Sequence, residues 1–507
     1  MRTALVLLFL LAVAAIPGSL LPQRSVNREK VGEYFLAHPT VAPWLDRVGA
    51  FEVFASPWFA AIYLLLFASL VGCVVPRLAE HIRALRTVPP DAPRRLDRLP
   101  QHTPDEQRAG DPADTAAAIG RTLRARRFRT VVRGHDGDVW TVAAEKGFVK
   151  ETGNLLFHFA LLAVLLGVGF GSWYGWHGNR LLVAGADTEF CNVLSQYDES
   201  GLGPRVSAED LPPFCLQLTD FVATYQPSGQ PKSFNAIVRY DEGGAAPRTA
   251  DFTVNKPLRL AGANVYLLGH GYAPVIRYTD RYGRAQTTVA PFLPVDANLS
   301  SEGVAAFPDA NIDPAAGGRR DPSLQMAFEG LYLPTVAESG MLARSQSPEE
   351  KAPGVLLWAY RGDLGLDAGI PSSVYQIDRG QVQRGKLKQI GEPRLLRLGE
   401  RWQLDDGTTV ELVDTREWIT ISVRSDPAQP VVLAGAVVGL AGLMLSLTGR
   451  RRRVWFRVTP SPAGPSPTGG SSVVRAGGLP RTDYPGFADE FRALVAATGD
   501  GPAERTD

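Results

Sequence analysis

LLFHFALLAVLLGVGFGSW, Leu155 to Trp173, is the stretch from which the fold can be read. It contains no acidic residue, lysine or arginine. A helix rising ~1.5 Å per residue needs about 20 apolar residues to cross a hydrocarbon core roughly 30 Å thick. A soluble helix of this length normally carries a polar face; this one offers little beyond His158. Three more stretches share the pattern: Ala4 to Leu21 (ALVLLFLLAVAAIPGSLL), Trp58 to Val75 (WFAAIYLLLFASLVGCVV) and Val431 to Thr448 (VVLAGAVVGLAGLMLSLT). Four transmembrane helices are expected. A basic start before an apolar run is also how a signal peptide begins. Ala15-Ile16-Pro17-Gly18-Ser19 is a poor cleavage site, so the first stretch is read as a retained membrane helix.

The residues flanking these spans predict their orientation. Thirteen arginines lie between Arg77 and Lys150, and Arg450-Arg451-Arg452-Arg453 follows the fourth span. The positive-inside rule places both in the cytoplasm, with both termini, and leaves Pro22 to Pro57 and Tyr174 to Pro430 outside. The outer loop has Arg24, Arg28, Lys30 and Arg47, but Glu29, Glu33, Asp46 and Glu52 offset them. The predicted organisation is residues 1–76 (two spans), 77–150 (a cytoplasmic linker and small αβ segment), 151–173 (third span), 174–430 (an extracytoplasmic domain), 431–448 (fourth span) and 449–507 (a basic, partly disordered tail).

The long outer region reads as antiparallel β structure. Phe221, Ala223 and Tyr225 alternate, Pro227-Ser228-Gly229 turns, and Phe234 to Tyr240 runs back. Val275 to Asp280 precedes a turn at Tyr282-Gly283, and Asp405-Asp406-Gly407 joins Leu404 to Val410–Val413. A looser middle is expected at Asp296 to Asp321, rich in Gly, Pro and Ala. On the cytoplasmic side a linker (Thr87 to Asp114) leads to a helix over Thr115 to Arg126 and strands at Arg129–Arg133 and Val139–Ala143. In the tail, Thr459 to Gly478 reads as a disordered Pro/Ser/Gly linker. Phe487, Phe491, Leu494 and Val495 then line one face of a helix. The fold class is therefore membrane α+β: four spans, a large extracytoplasmic antiparallel β-rich domain and a small cytoplasmic α/β segment.

Composition narrows the function. The chain has 507 residues, enough for two to four units, and a net charge of +1, which gives no field for nucleic acid. It contains no P-loop, HExxH, GxSxG, CxxCH or dinucleotide fingerprint. No motif supports an enzyme acting alone. His158 is the one readily protonated side chain inside a span. Such a group is costly in a bilayer and is a functional candidate by default. Its imidazole could serve as an axial haem ligand, as a proton relay, or as a neutral packing partner. His177, just outside the third span, is a weaker candidate. His38, His81, His102, His135 and His270 read as ordinary polar positions. Trp58, Trp173 and Trp176 at span ends read as interfacial anchors. Cys191 and Cys215 lie outside, where a disulfide would persist; a structural bridge is the favoured reading, with thiol exchange as the alternative. Cys73 reads as an inert buried thiol.

Taken in order, several segments resemble the ResB family (CcsB-type) of cytochrome c biogenesis proteins. They are AIPGSLLPQ (Ala15 to Gln23), VFASPWF through LLLFASLVGCVVPR (Val53 to Arg77), and EKGFVKETGNLLFHFALL around His158. Two more are LPPFCLQLTDFVATYQPSGQPKSF (Leu211 to Phe234) and VNKPLRLAGANVYLLGHGYAP (Val254 to Pro274). The last are the fourth span with its arginines and LPRTDYPGFADEF (Leu479 to Phe491). About Asp296 to Leu387 resembles nothing useful.

The resemblance implies a multi-pass subunit of a bacterial plasma membrane, acting beside a CcsA-type partner bearing a WWD motif, which this chain lacks. Together they would move haem b outward for attachment to apocytochrome c, with His158 as a haem ligand within the bilayer. Thiol-disulfide oxidoreductases and lipid are further implied partners. The alternatives are a non-haem scaffold that docks apocytochrome and redox partners, and a small sensor or transporter with His158 as proton relay.

Overall fold

The computed structural model of the chain describes residues 2–25, 28–185, 189–316, 318–337, 344–366, 375–461, 470–481 and 484–499. Elements are numbered in chain order. They form two compact units: Met1–Phe170 with Ala428–Asp507, and Gly171–Pro427.

In the first unit, four helices are long and apolar enough to cross a membrane: α1 (Arg2–Leu20), α4 (Pro57–Arg86), α6 (Val149–Tyr174) and α8 (Gln429–Thr448). Two short helices, α2 (Arg28–Ala37) and α3 (Ala42–Arg47), separate α1 from α4. The Ser56 hydroxyl accepts from the Phe59 N–H and caps α4, and Pro57 fills the first helical position, where a missing N–H costs nothing. α4 runs on through Pro76 to Arg86, beyond the apolar stretch that ends at Val75.

The same unit holds a six-stranded antiparallel sheet in the order β1-β22-β21-β4-β3, with β2 also on β22. Its strands are β1 (Gln101–His102), β2 (Glu106–Ala109), β3 (Arg129–His135), β4 (Val139–Lys146), β21 (Arg452–Pro460) and β22 (Ser471–Pro480). One face is covered by α5 (Pro112–Ala125) and α9 (Phe487–Gly499), burying Ile119, Leu123, Val142, Phe456, Phe491 and Leu494 together. The proline-rich segment before α5 lies across the other face. Carbonyls that no ladder can satisfy there accept from side chains: Pro89 from Arg133 (2.7 Å), Pro90 from Trp455 (3.0 Å) and Arg94 from Arg457 (2.7 Å).

This sheet corrects the reading of Thr459 to Gly478 as a single disordered linker. Thr459 and Pro460 end β21, and Ser471 to Gly478 belong to β22, central in the sheet. Residues 462–469 lie outside the described ones. The tail is strand-forming because Val454, Phe456 and Val458 alternate with Arg453, Trp455 and Arg457, which places one apolar set on the helix-covered face.

The second unit is antiparallel β structure in three sheets. One is β10-β9-β8-β6: β6 (Phe190–Cys191), β8 (Phe214–Tyr225), β9 (Pro231–Glu242) and β10 (Arg248–Thr253). The next is β11-β12-β20-β5-β7, with β13 and β19 at its margins: β5 (Trp176–Val183), β7 (Glu199–Leu202), β11 (Leu258–Leu260), β12 (Ala263–Thr279), β13 (Ala285–Val289), β19 (Arg401–Gln403) and β20 (Thr409–Ser425). The third is β14-β15-β16-β17-β18: β14 (Leu293–Pro294), β15 (Ser301–Phe307), β16 (Met326–Leu333), β17 (Gly354–Gly362) and β18 (Leu387–Arg397), with the single-turn α7 (Arg379–Gln383) before β18.

The paired strands β12 and β20, 17 residues each, are the spine of this unit. Val265 and Ile421 lie in a core shared with Phe214, Leu216 and Val238, while Ile276, Tyr278 and Leu412 lie in another shared with Phe307, Phe328 and Leu357. A register shift between Leu267 and Gly269 separates the two halves. The expected loose middle at Asp296 to Asp321 contains β15, whose Ala305 and Phe307 are fully buried. Trp176 is also corrected. It opens β5 and is 7% exposed in the core of this unit, so it is no membrane anchor, whereas Trp173 is 55% exposed on α6.

Candidate functional site

His158 projects from α6 among the apolar side chains of the span, half-buried. Its Nδ1 lies 2.7 Å from the Asn154 carbonyl oxygen, one turn back. A carbonyl can only accept, so Nδ1 carries a proton, and in the neutral ring the lone pair belongs to Nε2. Among the described residues Nε2 has no hydrogen-bond partner. The Phe157 ring stands edge-on at 5.4 Å between centroids and limits how the imidazole can rotate.

The neighbouring helix α8 packs against a different side of α6 from His158. α8 approaches closely because glycines line its contact. A Cβ on Gly442 would lie 2.7 Å from Phe157 N and 2.9 Å from the Gly153 carbonyl, and one on Gly435 would lie 2.8 Å from a Val164 methyl. Backbones can meet in lipid only where such small residues stand. At about 100° per residue, Gly153, Phe157, Ala160 and Val164 form one stripe against α8, and His158 is more than a quarter turn away from it. α4 contacts α6 through two polar links. The Tyr63 hydroxyl donates to the Leu165 carbonyl, and His81 Nε2 sits 3.0 Å from Thr152 Oγ1. These links fix the antiparallel register. Counting about 1.5 Å per residue from both, Cys73 of α4 stands within about one turn of the level of His158. Cys73 forms no disulfide. Exposed Leu161 lies about 60° round α6 from His158, one turn further along.

An imidazole whose Nδ1–H is committed to a backbone carbonyl is the arrangement that metal-ligating histidines use, because it fixes the ring direction and leaves Nε2 as the ligating nitrogen. Haem iron as cargo fits this donor: one nitrogen lone pair, apolar surroundings and a side not covered by α8. Sequence reasoning singled out His158 but not the Asn154 carbonyl that its Nδ1 meets, though the four-residue spacing on a helix carried that signal.

The other histidines have separate settings. His177 lies on β5 in the second unit, its ring under Gly201, where a Cβ would meet it at 2.5 Å. Burial, then Arg424, holds it below the ordinary imidazole range, while Glu199 pulls the other way. His270, on β12, lies against Phe234 (4.5 Å between ring centroids) and Phe221 (5.1 Å), both tilted to it, and burial pushes it down to about 4. His102 contacts the Leu99 carbonyl, and His135 contacts Asp91 and Thr141. His38 rests on Tyr34. Cys191 and Cys215 are directly paired residues of β6 and β8, joined by a disulfide.

Comparison with known proteins agrees with this architecture. The model of the ResB-like family matches residues 1–492. A relative from Synechococcus sp. (strain RCC307), named cytochrome c biogenesis protein CcsB, is 26% identical over 97% of this chain and 94% of its own length. Proteins of the same name from Prochlorococcus marinus (strain MIT 9313) and Gloeobacter violaceus are 24% and 23% identical. They cover 98% and 90% of this chain, and 96% and 82% of their own lengths. Four apolar helices, a large antiparallel β region and a family match across nearly the whole chain lead to one assignment: the chain belongs to the ResB-like family.

Proposed function

We propose that this chain is the CcsB-type membrane subunit of a cytochrome c assembly complex. It works with a CcsA-type partner to carry haem across the membrane and supports covalent attachment of that haem to apocytochrome c. The observation that carries the reading is His158, whose lone-pair nitrogen is presented inside a span by the Asn154 carbonyl. This imidazole supplies one axial position for the iron; a second comes from the partner. The arginine-rich sheet lies in the cytoplasm with both termini, and the β unit lies outside, where it docks apocytochrome and where the Cys191–Cys215 bond is chemically at home. The chain catalyses no step alone.

The test is production of a reporter cytochrome c in cells lacking the native assembly genes and supplied with this chain and a CcsA-type partner. His158→Ala is expected to lower covalently bound haem at least tenfold at unchanged protein level, with partial recovery on added imidazole. Near-normal cytochrome c in His158→Ala would instead favour a docking scaffold that handles no haem.

A further inference from the structure

α6 begins and α8 ends at a single crowded junction. A Cβ on Gly147, two residues before α6, would lie 2.0 Å from the carbonyl oxygen of Arg450, two residues after α8. Basic side chains gather around it. Lys146 and Arg452 are directly opposed residues of β4 and β21, a like-charge pairing that sheets normally avoid. Their charges flank the Phe128 ring, at 5.3 Å and 5.6 Å from its centroid. Arg126 and Arg127 directly follow α5 beside them, and Lys146 Nζ donates to the Arg126 carbonyl at 2.9 Å. Arg450 lies over the Tyr484 ring at 4.8 Å. Against these five cations stands Glu490, which pairs with Arg452. Among the described residues, no carboxylate pairs with Arg126, Arg127 or Arg450. Lys146 is held below the ordinary lysine range, first by burial and next by Arg452, with Arg127 and Arg126 adding and Glu490 opposing. Among the described residues, Arg452 Nε is buried without a hydrogen-bond partner.

We infer that this cluster of Arg126, Arg127, Lys146, Arg450 and Arg452 is a binding site for the phosphate of an anionic phospholipid headgroup. A lipid is the occupant because of where the cluster stands. Two spans leave their apolar stretches within a few residues of it, so it is at headgroup level whichever leaflet it faces. Exposed Leu445 and Leu447 at the end of α8 can meet the acyl chains of the same molecule. The crowding of like charge is then relieved by the ligand, which explains why Lys146 and Arg452 can face each other.

The experiment uses the full chain purified in zwitterionic detergent, following the thermal midpoint as short-chain phosphatidylglycerol, phosphatidylcholine or inorganic phosphate is added. Phosphatidylglycerol alone is expected to raise the midpoint. In the variant Arg126→Gln/Arg127→Gln/Arg450→Gln, all at exposed positions, the concentration for half the effect should rise about fivefold per guanidinium removed. The matching triple Arg→Lys variant should stay within a few-fold of wild type, because a headgroup phosphate needs charge rather than the guanidinium shape. An equal response to phosphatidylcholine, an unchanged requirement in the glutamine variant, or failure of the lysine variant would overturn the proposal. An equal response to inorganic phosphate would replace it with a soluble-anion site.

Discussion

Glu145→Gln should loosen the arginine-rich sheet more than any other single polar change there. The Glu145 side chain is 2% exposed and meets Arg451 Nη2 at 2.6 Å, Arg453 Nε at 3.2 Å and Arg129 Nη2 at 3.7 Å. Arg451 is itself 10% exposed, with Glu151 at 2.5 Å as its other partner. Its guanidinium and that of Arg129 also lie over the Phe148 ring, at 4.4 Å and 4.7 Å. Removing one member of a buried ion pair costs about 3–5 kcal/mol, because the remaining charge is left desolvated. Losing Glu151 should cost only about 1 kcal/mol, since its carboxylate is 38% exposed and Arg451 keeps Glu145. Hydrogen exchange of β4 and β21 in the intact chain reads the difference directly. Those amides should exchange about 10²–10³-fold faster in Glu145→Gln, and less than about tenfold faster in Glu151→Gln. Equal effects, or a Glu145→Gln change below tenfold, would refute the idea that one buried carboxylate ties the span ends to the sheet.

Other perturbations have distinct signatures. Cys191→Ser with Cys215→Ser opens a loop with a sequence separation of 24. It should cost about 3 kcal/mol and lower the β unit's thermal midpoint by roughly 6–12 °C in calorimetry. Gly442→Leu would drive a side chain into the α6 backbone at Phe157 and Gly153, so the chain should lose stability in detergent, measured as half-life at 40 °C. Glu417 is pushed up to about 7, first by burial and then by Asp220 and Glu350. A carboxyl raised in the folded state contributes stability below its unfolded value, and that stability is lost as pH rises through about 7. Glu417→Gln should therefore raise the midpoint at pH 8 and leave it nearly unchanged at pH 4. A stabilisation confined to acid pH would contradict that sign.

The spans were legible because a charge-free window of 18 or 19 residues needs no partner to interpret. The hairpins at Pro227-Ser228-Gly229 and Asp405-Asp406-Gly407 were legible because turn residues separate alternating runs; they form β8–β9 and β19–β20. The extension of α4 to Arg86 was hidden, since Arg77 and Glu80 end the apolar pattern while the helix continues. The sheet that joins β4 to β21 was hidden for another reason. Its partners are far apart in the chain, Glu145 and Arg451 by 306 residues, and nothing local states that pairing. Trp176 was misread because a tryptophan after a span looks like an anchor until its strand is placed in a core. His158 was visible as an isolated polar group in lipid, but its tautomer depended on a backbone carbonyl that only the folded helix supplies.

The most direct measurement is the porphyrin content and visible spectrum of the full chain copurified with a CcsA-type partner, for wild type and His158→Ala. Wild type should carry near-stoichiometric haem with a low-spin, two-histidine spectrum. The variant should lose most of that haem, with the spectrum restored by added imidazole. A His158→Ala complex that retained all its haem with an unaltered spectrum would contradict the intramembrane site.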